Sequence, residues 1–249
     1  MQIRLIRSAT MRLVYAGRVI ITDPYLAARH AMPSYTGASP NPLVGLPIPP
    51  AEALNGVELA VISHLHSDHF DPTGKRLLPK RLPIVCQPGD AAALAASGFV
   101  SVIPASDTLT WQGISVERIE GQHGSGEVLA DMGEASGFIF RADDEPTLYW
   151  VGDSVWTDAV VRTIERYSPD VIITHSGGAE WGDHVPIIMD AAQTVEVCRA
   201  APASKVIAVH MEALDHQTVT REALRVYAEE AGIRSDQLVI PLDGEILTY

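Results

Sequence analysis

His64-Leu65-His66-Ser67-Asp68-His69 places four potential metal ligands within six residues. Imidazole and carboxylate are natural ligands of a divalent, zinc-like ion. The hexapeptide follows an apolar run, Leu59-Ala60-Val61-Ile62, that reads as a buried β-strand. So many donors together would make a poor core, and they are too regularly ordered for a random polar loop. The segment predicts a metal centre at a strand end, where a rigid sheet can position the donors.

The missing ligands are then expected just after other strands. Four candidates stand there: His123 after 114–120, Asp153 after 147–151, His175 after 170–174 and His210 after 205–209. A single zinc site closes with three protein ligands and a water. The hexapeptide with His123, Asp153 and His210 offers seven ligands, enough for two ions that share a carboxylate and a hydroxide. A bridging position needs a carboxylate, because an imidazole nitrogen has one lone pair to give. Asp153 is the only carboxylate in the downstream set, which makes it the expected bridge. A hydroxide between two ions is a strong nucleophile near neutral pH, since metal lowers the pKa of water from 15.7 to roughly 7. The chemistry expected is hydrolysis at a carbonyl or phosphoryl centre.

The elements that must carry these residues follow from the local patterns. Residues 2–7, 11–16 and 18–22 are β-like, with a tight turn at Ala16-Gly17. A Pro-rich loop over 24–50, containing Pro33, Pro40, Pro42, Pro47, Pro49 and Pro50, is long for a plain connection and is expected near the site. Asp71 can cap a short helix that starts at Pro72, and Asp90–Ala96 reads as an Ala-rich helix stopped by Gly98. Strands are expected at 82–86, 100–103, 107–111, 114–120, 136–141 and 147–151. The second half alternates: helix 157–167, strand 170–174, helix 190–200, strand 205–209, helix 220–231, then strands at 238–240 and 245–248. That order suits one domain, residues 1–249, with two sheets packed together and helices outside.

Composition narrows the function classes. Hydrophobic residues make up 47% of the 249, enough for a sizeable core. The formal net charge of −13 argues against a nucleic-acid partner, which needs clustered Lys and Arg. Arg4, Arg7, Arg12 and Arg18 read as an exposed strand face. Two cysteines, Cys86 and Cys198, sit in apolar runs and imply buried thiols and a reducing compartment. The N-terminal residues lack the apolar core of a signal peptide, and no segment approaches the roughly 20 apolar residues of a membrane span. A cytoplasmic protein with a small-molecule substrate is expected, with a homo-oligomer left open.

Taken in order, His64, His66, Asp68 and His69, then His123, Asp153 and His210, resemble the ligand pattern of the metallo-β-lactamase-fold hydrolase superfamily. Asp23 in Ile21-Thr22-Asp23-Pro24-Tyr25 is similar to the family's early Asp, which supports the ligand loop. The resemblance implies a mixed α/β (α+β) fold, a four-layer αββα sandwich. It implies one ion on His64, His66 and His123 and another on Asp68, His69 and His210, with Asp153 shared. The ions would be Zn2+, with Mn2+ or Fe2+ as alternatives. It also implies that Asp68 orients the hydroxide and passes a proton to the leaving group.

Asp-Pro-Tyr, Gly152-Asp153-Ser154 and Gly177-Gly178 are similar to the branch that includes L-ascorbate-6-phosphate lactonase. That branch implies opening of a small ester or lactone. A small-molecule phosphodiesterase is the alternative, and an iron redox or purely metal-binding role a third reading. His175 departs from the branch and is read as a substrate contact, a partner of a ligand carboxylate, or filling. His184, Glu212 and His216 are further candidate substrate contacts, Trp181 a candidate pocket wall, and His30 a solvated side chain.

Overall fold

Alternating burial and tight turns build the first sheet. The computed structural model describes residues 1–249. Strands β1 (Gln2–Arg7), β2 (Thr10–Tyr15) and β3 (Arg18–Thr22) form an antiparallel meander. Ala16 and Gly17, both at positive φ (49° and 71°), make the turn that matches the strands' twist. The chain then runs through the Pro-rich segment and helix α1 (Pro50–Ala53) into β4 (Leu59–Ile62), α2 (Pro72–Leu77), β5 (Ile84–Cys86), α3 (Ala91–Ala96) and β6 (Val102–Pro104). Asp71 caps α2 by accepting from the Thr73 and Gly74 amides, with Pro72 at the first helical position.

The second sheet begins with β7 (Thr108–Trp111) and β8 (Ile114–Gly121), followed by α4 (Val128–Met132), β9 (Ala135–Arg141) and β10 (Leu148–Trp150). Helix α5 (Asp158–Tyr167), strand β11 (Val171–His175), a small hairpin of β12 (Glu180–Trp181) and β13 (Val185–Pro186), helix α6 (Ala191–Ala200), β14 (Lys205–Val209), α7 (Arg221–Glu230) and β15 (Leu238–Val239) follow. The last strand, β16 (Ile246–Thr248), returns to pair with β1.

The strand orders are β16-β1-β2-β3-β4-β5-β6 and β15-β14-β11-β10-β9-β8-β7. In each sheet an antiparallel half joins a parallel half: β3 to β6 are parallel in the first, and β10, β11, β14 and β15 in the second. The central core draws Leu5, Leu13, Val61 and Val85 from one sheet and Phe138, Trp150, Ile173 and Ile207 from the other. The outer face of the second sheet packs Val160 and Ile164 of α5, Val195 of α6 and Leu224 of α7. The outer face of the first packs Leu78, Leu94 and Phe99 beside α2 and α3. Helix, sheet, sheet, helix is the layering that results, as expected from the sequence.

One expectation fails. Arg4, Arg12 and Arg18 are partly exposed, but Arg7 is fully buried. Its guanidinium donates to the carbonyls of Tyr25, Ala27 and Val44 and so pins the base of the Pro-rich segment. A buried cation of this kind is tolerated because carbonyl acceptors replace its lost water.

Candidate metal centre

The carboxyl ends of strands from both sheets meet at one edge of the sandwich. Asp23 follows β3, His64 to His69 follow β4, His123 follows β8, Asp153 follows β10, His175 ends β11, and His210 follows β14. Local backbone demands are met where these strands end. Gly152, just before Asp153, has φ of 69°, and a Cβ there would collide with the Ser136 carbonyl. Asp23 and His210 hold φ of 37° and 59° without being glycine, a strained conformation of the kind that collects at functional sites.

The seven expected ligands converge. Ligand atoms of His64, His66 and His123 lie within 4.8 Å of one another, as do those of Asp68, His69 and His210. Asp153 lies between the two groups. Its Oδ2 is 3.1 Å from His69 Nε2, 3.4 Å from His123 Nε2 and 3.8 Å from His64 Nε2, and its Oδ1 is 3.7 Å from His210 Nε2. All of these except the half-buried His66 are almost sealed from solvent.

Hydrogen bonds behind the rings decide which nitrogen faces the cluster. His123 Nδ1 meets the Ile187 carbonyl at 2.7 Å. A carbonyl only accepts, so the proton is on Nδ1 and the Nε2 lone pair is free. His69 Nδ1 meets Asp23 Oδ2 at 2.7 Å, which puts a proton on Nδ1 and turns Nε2 toward the cluster. Asp23 also takes the amide and hydroxyl of Ser63 at 2.7 and 2.6 Å. Ser63 Oγ in turn lies 3.0 Å from His64 Nδ1. His210 Nδ1 pairs with Ser8 Oγ at 2.6 Å. Asp23 thus fastens both Ser63 and His69 of the loop that follows β4.

Electrostatics match this geometry. Burial alone would raise the Asp68 carboxyl, but His69 and His210 outweigh it and hold the group down at about 2. Asp153 is likewise held well below the usual carboxylate range, where His69, His210 and His123 overcome its burial. Burial lowers His64 and His66, and takes His210 down to about 3. His69 goes the other way: burial opposes its charge, yet Asp153, Asp68 and Asp23 raise it well above its ordinary value. Two buried carboxylates that charge His69, beside His64, His66 and His210 held neutral, make a pocket that calls for a cation.

The other candidates divide. His175 is fully buried and does not line the cavity; its Nδ1 faces Asp153 Oδ1 at 2.5 Å and its Nε2 accepts from Trp150 Nε1 at 2.9 Å. His216 lines the cavity beside the cluster, as does Trp181. His184 is exposed on the outer rim, where it pairs with Glu180 at 2.7 Å. Glu212 is not brought to the cavity at all. Its carboxylate takes the Arg221 amide at 3.0 Å and Nη1 at 2.6 Å, and Arg221 extends the network to Asp243. His30 is exposed. Sequence reasoning missed Ser63, Ser8, Trp150 and Tyr35. Tyr35, from the Pro-rich segment, donates to Asp68 Oδ1 at 3.0 Å; burial and the nearby Asp68 charge push its phenol well above the usual range.

The cavity in front of the cluster has a volume of about 220 Å³. It is lined by His66, Asp68, His123, Asp153 and His210 of the cluster, by the apolar side chains of Met132, Ala179, Trp181, Ile187 and Ile188, and by Asp131, which accepts from Trp181.

A family model described as a beta-lactamase superfamily domain matches residues 18–211. The chain belongs to that superfamily. Within it, the UPF0173 protein YddR of Bacillus subtilis is 36% identical over 255 residues, which cover 100% of both chains, so the chain also belongs to the UPF0173 family. Two solved structures are similar over nearly their whole length. One is an isothiocyanate hydrolase from Delia radicum gut bacteria, with 35% identity, a TM-score of 0.92 and coverage of 100% of this chain and 99% of that one. The other is a possible metal-dependent hydrolase from Veillonella parvula, with 34% identity, a TM-score of 0.96 and the same coverage. No helix of this UPF0173 member is long and apolar enough to cross a membrane.

Proposed function

We propose that the protein is a metal-dependent hydrolase of a small uncharged electrophile, with isothiocyanates as the first substrate class. The make-up of the cavity carries this reading: carboxylates and imidazoles of the cluster beside Met132, Ile187, Ile188 and Trp181, and no Lys or Arg in the lining.

The donor set fits a metal. His64 Nε2 is buried with no hydrogen-bond partner, an expensive orphan unless it ligates a cation. His69 Nε2 points between two carboxylates, at 3.1 Å from Asp153 and 3.6 Å from Asp68. His64, His66 and His123 would hold one divalent ion and Asp68, His69 and His210 a second, with Asp153 shared; Zn2+ suits this nitrogen-rich set. Ions bound there would supply Lewis acidity and lower the pKa of water.

The chain's own groups supply the rest. Asp68 stays a carboxylate at neutral pH and can take the proton of the attacking water. The Met132, Ile187 and Ile188 wall packs the substrate's carbon substituent and excludes bulk water. For an isothiocyanate, water oxygen adds to the central carbon and a proton goes to nitrogen, giving a thiocarbamic acid. Asp68 then takes the remaining O–H proton of the thiocarbamic acid and delivers it to nitrogen as the C–N bond breaks, which releases an amine and carbonyl sulfide. The likeness to an isothiocyanate hydrolase at 35% identity supports this class.

An uncharged ester or lactone is the second reading, because a carbonyl carbon would meet the same groups. A phosphorylated lactone or a phosphodiester would bring an anionic group that the ions could meet but for which the lining offers no Lys or Arg. The test is turnover of an alkyl isothiocyanate, a simple lactone and bis(p-nitrophenyl) phosphate by protein loaded with Zn2+ or stripped by chelator. Isothiocyanate turnover that vanishes on stripping and returns with metal is expected. Turnover indifferent to metal, or fastest on the phosphodiester, overturns the reading.

A further inference from the structure

We propose that Tyr35 is a positioning residue for Asp68, and that its ring sets the length of substrate the inner cavity accepts. The inference rests on the reading of the cluster as a metal centre.

The hydroxyl comes first. A carboxylate only accepts, so the phenol proton goes to Asp68 Oδ1 at 3.0 Å. The Ser67 hydroxyl, 2.8 Å away, then donates to the phenol oxygen. With Oδ1 held from the cavity side, Asp68 Oδ2 faces His69 Nε2 and His210 Nε2, each at 3.6 Å. Rotation of Asp68 away from those rings breaks the Tyr35 bond. Outer hydrogen bonds of this kind govern how well a carboxylate serves a metal.

The segment that presents Tyr35 is itself clamped. Asp215 Oδ1 accepts from the Tyr35 amide at 3.0 Å and from Asn41 Nδ2 at 2.9 Å. Its Oδ2 accepts from the Thr36 amide at 3.1 Å, from Thr36 Oγ1 at 2.7 Å and from the Ser34 hydroxyl. One carboxylate, next in the chain to His216, therefore fastens a Pro-rich segment that would otherwise have few ties at this point.

The ring has a separate place. It meets His216 edge-on at 4.7 Å between centroids and Trp181 edge-on at 6.3 Å. These three rings line both the inner cavity of about 220 Å³ and an outer, polar chamber of about 350 Å³ that includes Thr36, Glu180 and Gln217. They form the partition between the two. A long substituent directed from the inner cavity toward the outer chamber meets this partition.

Phe and Ala at position 35 separate the two roles. Tyr35→Phe keeps the ring and removes the hydroxyl. It is expected to weaken Co2+ binding, read by competition with a chromophoric chelator, by about tenfold. It should also alter the visible Co2+ spectrum and lower kcat for a short isothiocyanate by about tenfold with KM little changed. Asp215→Asn, which loosens the clamp without touching the cavity end of Asp68, should move both quantities the same way. Tyr35→Ala should in addition raise the ratio of kcat/KM for long-chain over short-chain isothiocyanates, with far-UV circular dichroism confirming the fold. Y35F with wild-type Co2+ affinity, spectrum and kcat overturns the positioning role. An unchanged chain-length ratio in Y35A overturns the partition. Wild-type protein that binds no Co2+ overturns the metal reading itself, and the Tyr35 role with it.

Discussion

His175 shows how one hydrogen bond decides between chemical roles. An indole N–H has no lone pair to offer, so Trp150 can only donate, and His175 Nε2 must be the acceptor at 2.9 Å. The ring proton is therefore on Nδ1, directed at Asp153 Oδ1. A nitrogen that carries this proton has no lone pair for a metal, and a residue with no exposure has no surface for a substrate. What is left is the orientation of Asp153, with Oδ2 turned toward His69, His123 and His64. His175→Ala frees that carboxylate and strands the Trp150 N–H in the core. It should destabilise the protein by about 2–4 kcal/mol in urea melts and weaken metal binding by roughly tenfold or more. His175→Asn, which keeps a donor near Oδ1, should recover most of the metal affinity and little of the stability. Full metal affinity in the Ala variant would remove His175 from the site.

The convergence of the seven His and Asp residues was legible because residue types able to hold a metal are few and these stand at strand ends. Tyr35, Ser8, Ser63 and Trp150 were not, since those types occur anywhere and only tertiary geometry aims them. Glu212 was misread for the converse reason. It follows a strand end in the chain, but Arg221 at 2.6 Å draws it away from the cavity. Proximity in sequence to a ligand says nothing about which way a side chain turns.

At the scale of elements, regular alternation and caps were readable, while short irregular pieces were not. The Ala16-Gly17 turn, the Asp71 cap and the long helices α5, α6 and α7 stand where their patterns placed them. The two-residue strands β12 and β13 carry no period to detect. Helix α4, too short for a helical repeat, was missed although it brings Met132 to the cavity. The Pro-rich segment was recognisable as a loop near the site, but its reach across the cavity depends on Arg7 and Asp215, distant in sequence.

Asp90, at the start of α3, makes no capping hydrogen bond, and its Oδ2 is buried without a partner. Burial, reinforced by Glu134 and Asp23, raises its carboxyl from 3.8 to about 6. A raised folded-state value means the native form holds the proton more tightly than the unfolded chain. The associated stability is complete below pH 3.8 and lost as pH rises through about 6. Above that, the ionised group is a liability, and Asp90→Asn should relieve it. Discounted for partial exposure, the gain is about 1 kcal/mol, or roughly 2–4 °C in Tm for a chain this size. The variant should melt higher than wild type at pH 7.5 and level with it near pH 4. Equal Tm at both pH values would mean that Asp90 is solvated in both forms.

For the whole molecule, the site is a junction between two sheets that already hold together without it. The central core packs strands of both sheets face to face along their length, and at roughly 25 cal/mol per Å² of apolar surface this contact dominates the fold. The cluster sits at one edge, with the His64–His69 loop from the first sheet and His123, Asp153 and His210 from the second. Ions there would tie the sheets at that edge and neutralise Asp68 and Asp153, which otherwise confront each other in a buried setting. Stabilisation by a bound ion follows RT ln(1 + [L]/Kd), about 4 kcal/mol at a thousandfold excess over Kd. That corresponds to roughly 8–16 °C in Tm. Chelation should therefore lower Tm by an amount of this order while far-UV circular dichroism below the transition stays native-like. Tm should then climb with the logarithm of added Zn2+. His66→Ala, which removes a half-buried ligand with little disturbance to packing, should flatten that climb and leave the chelated protein's Tm nearly unchanged. If the chelated wild type melts at the same temperature as the metal-loaded one, the cluster is not a metal junction, and the orphaned His64 Nε2 needs another explanation. If instead chelation unfolds the chain outright, the two-sheet core is weaker than its burial implies, and the ions belong to the folding nucleus as well as to the chemistry.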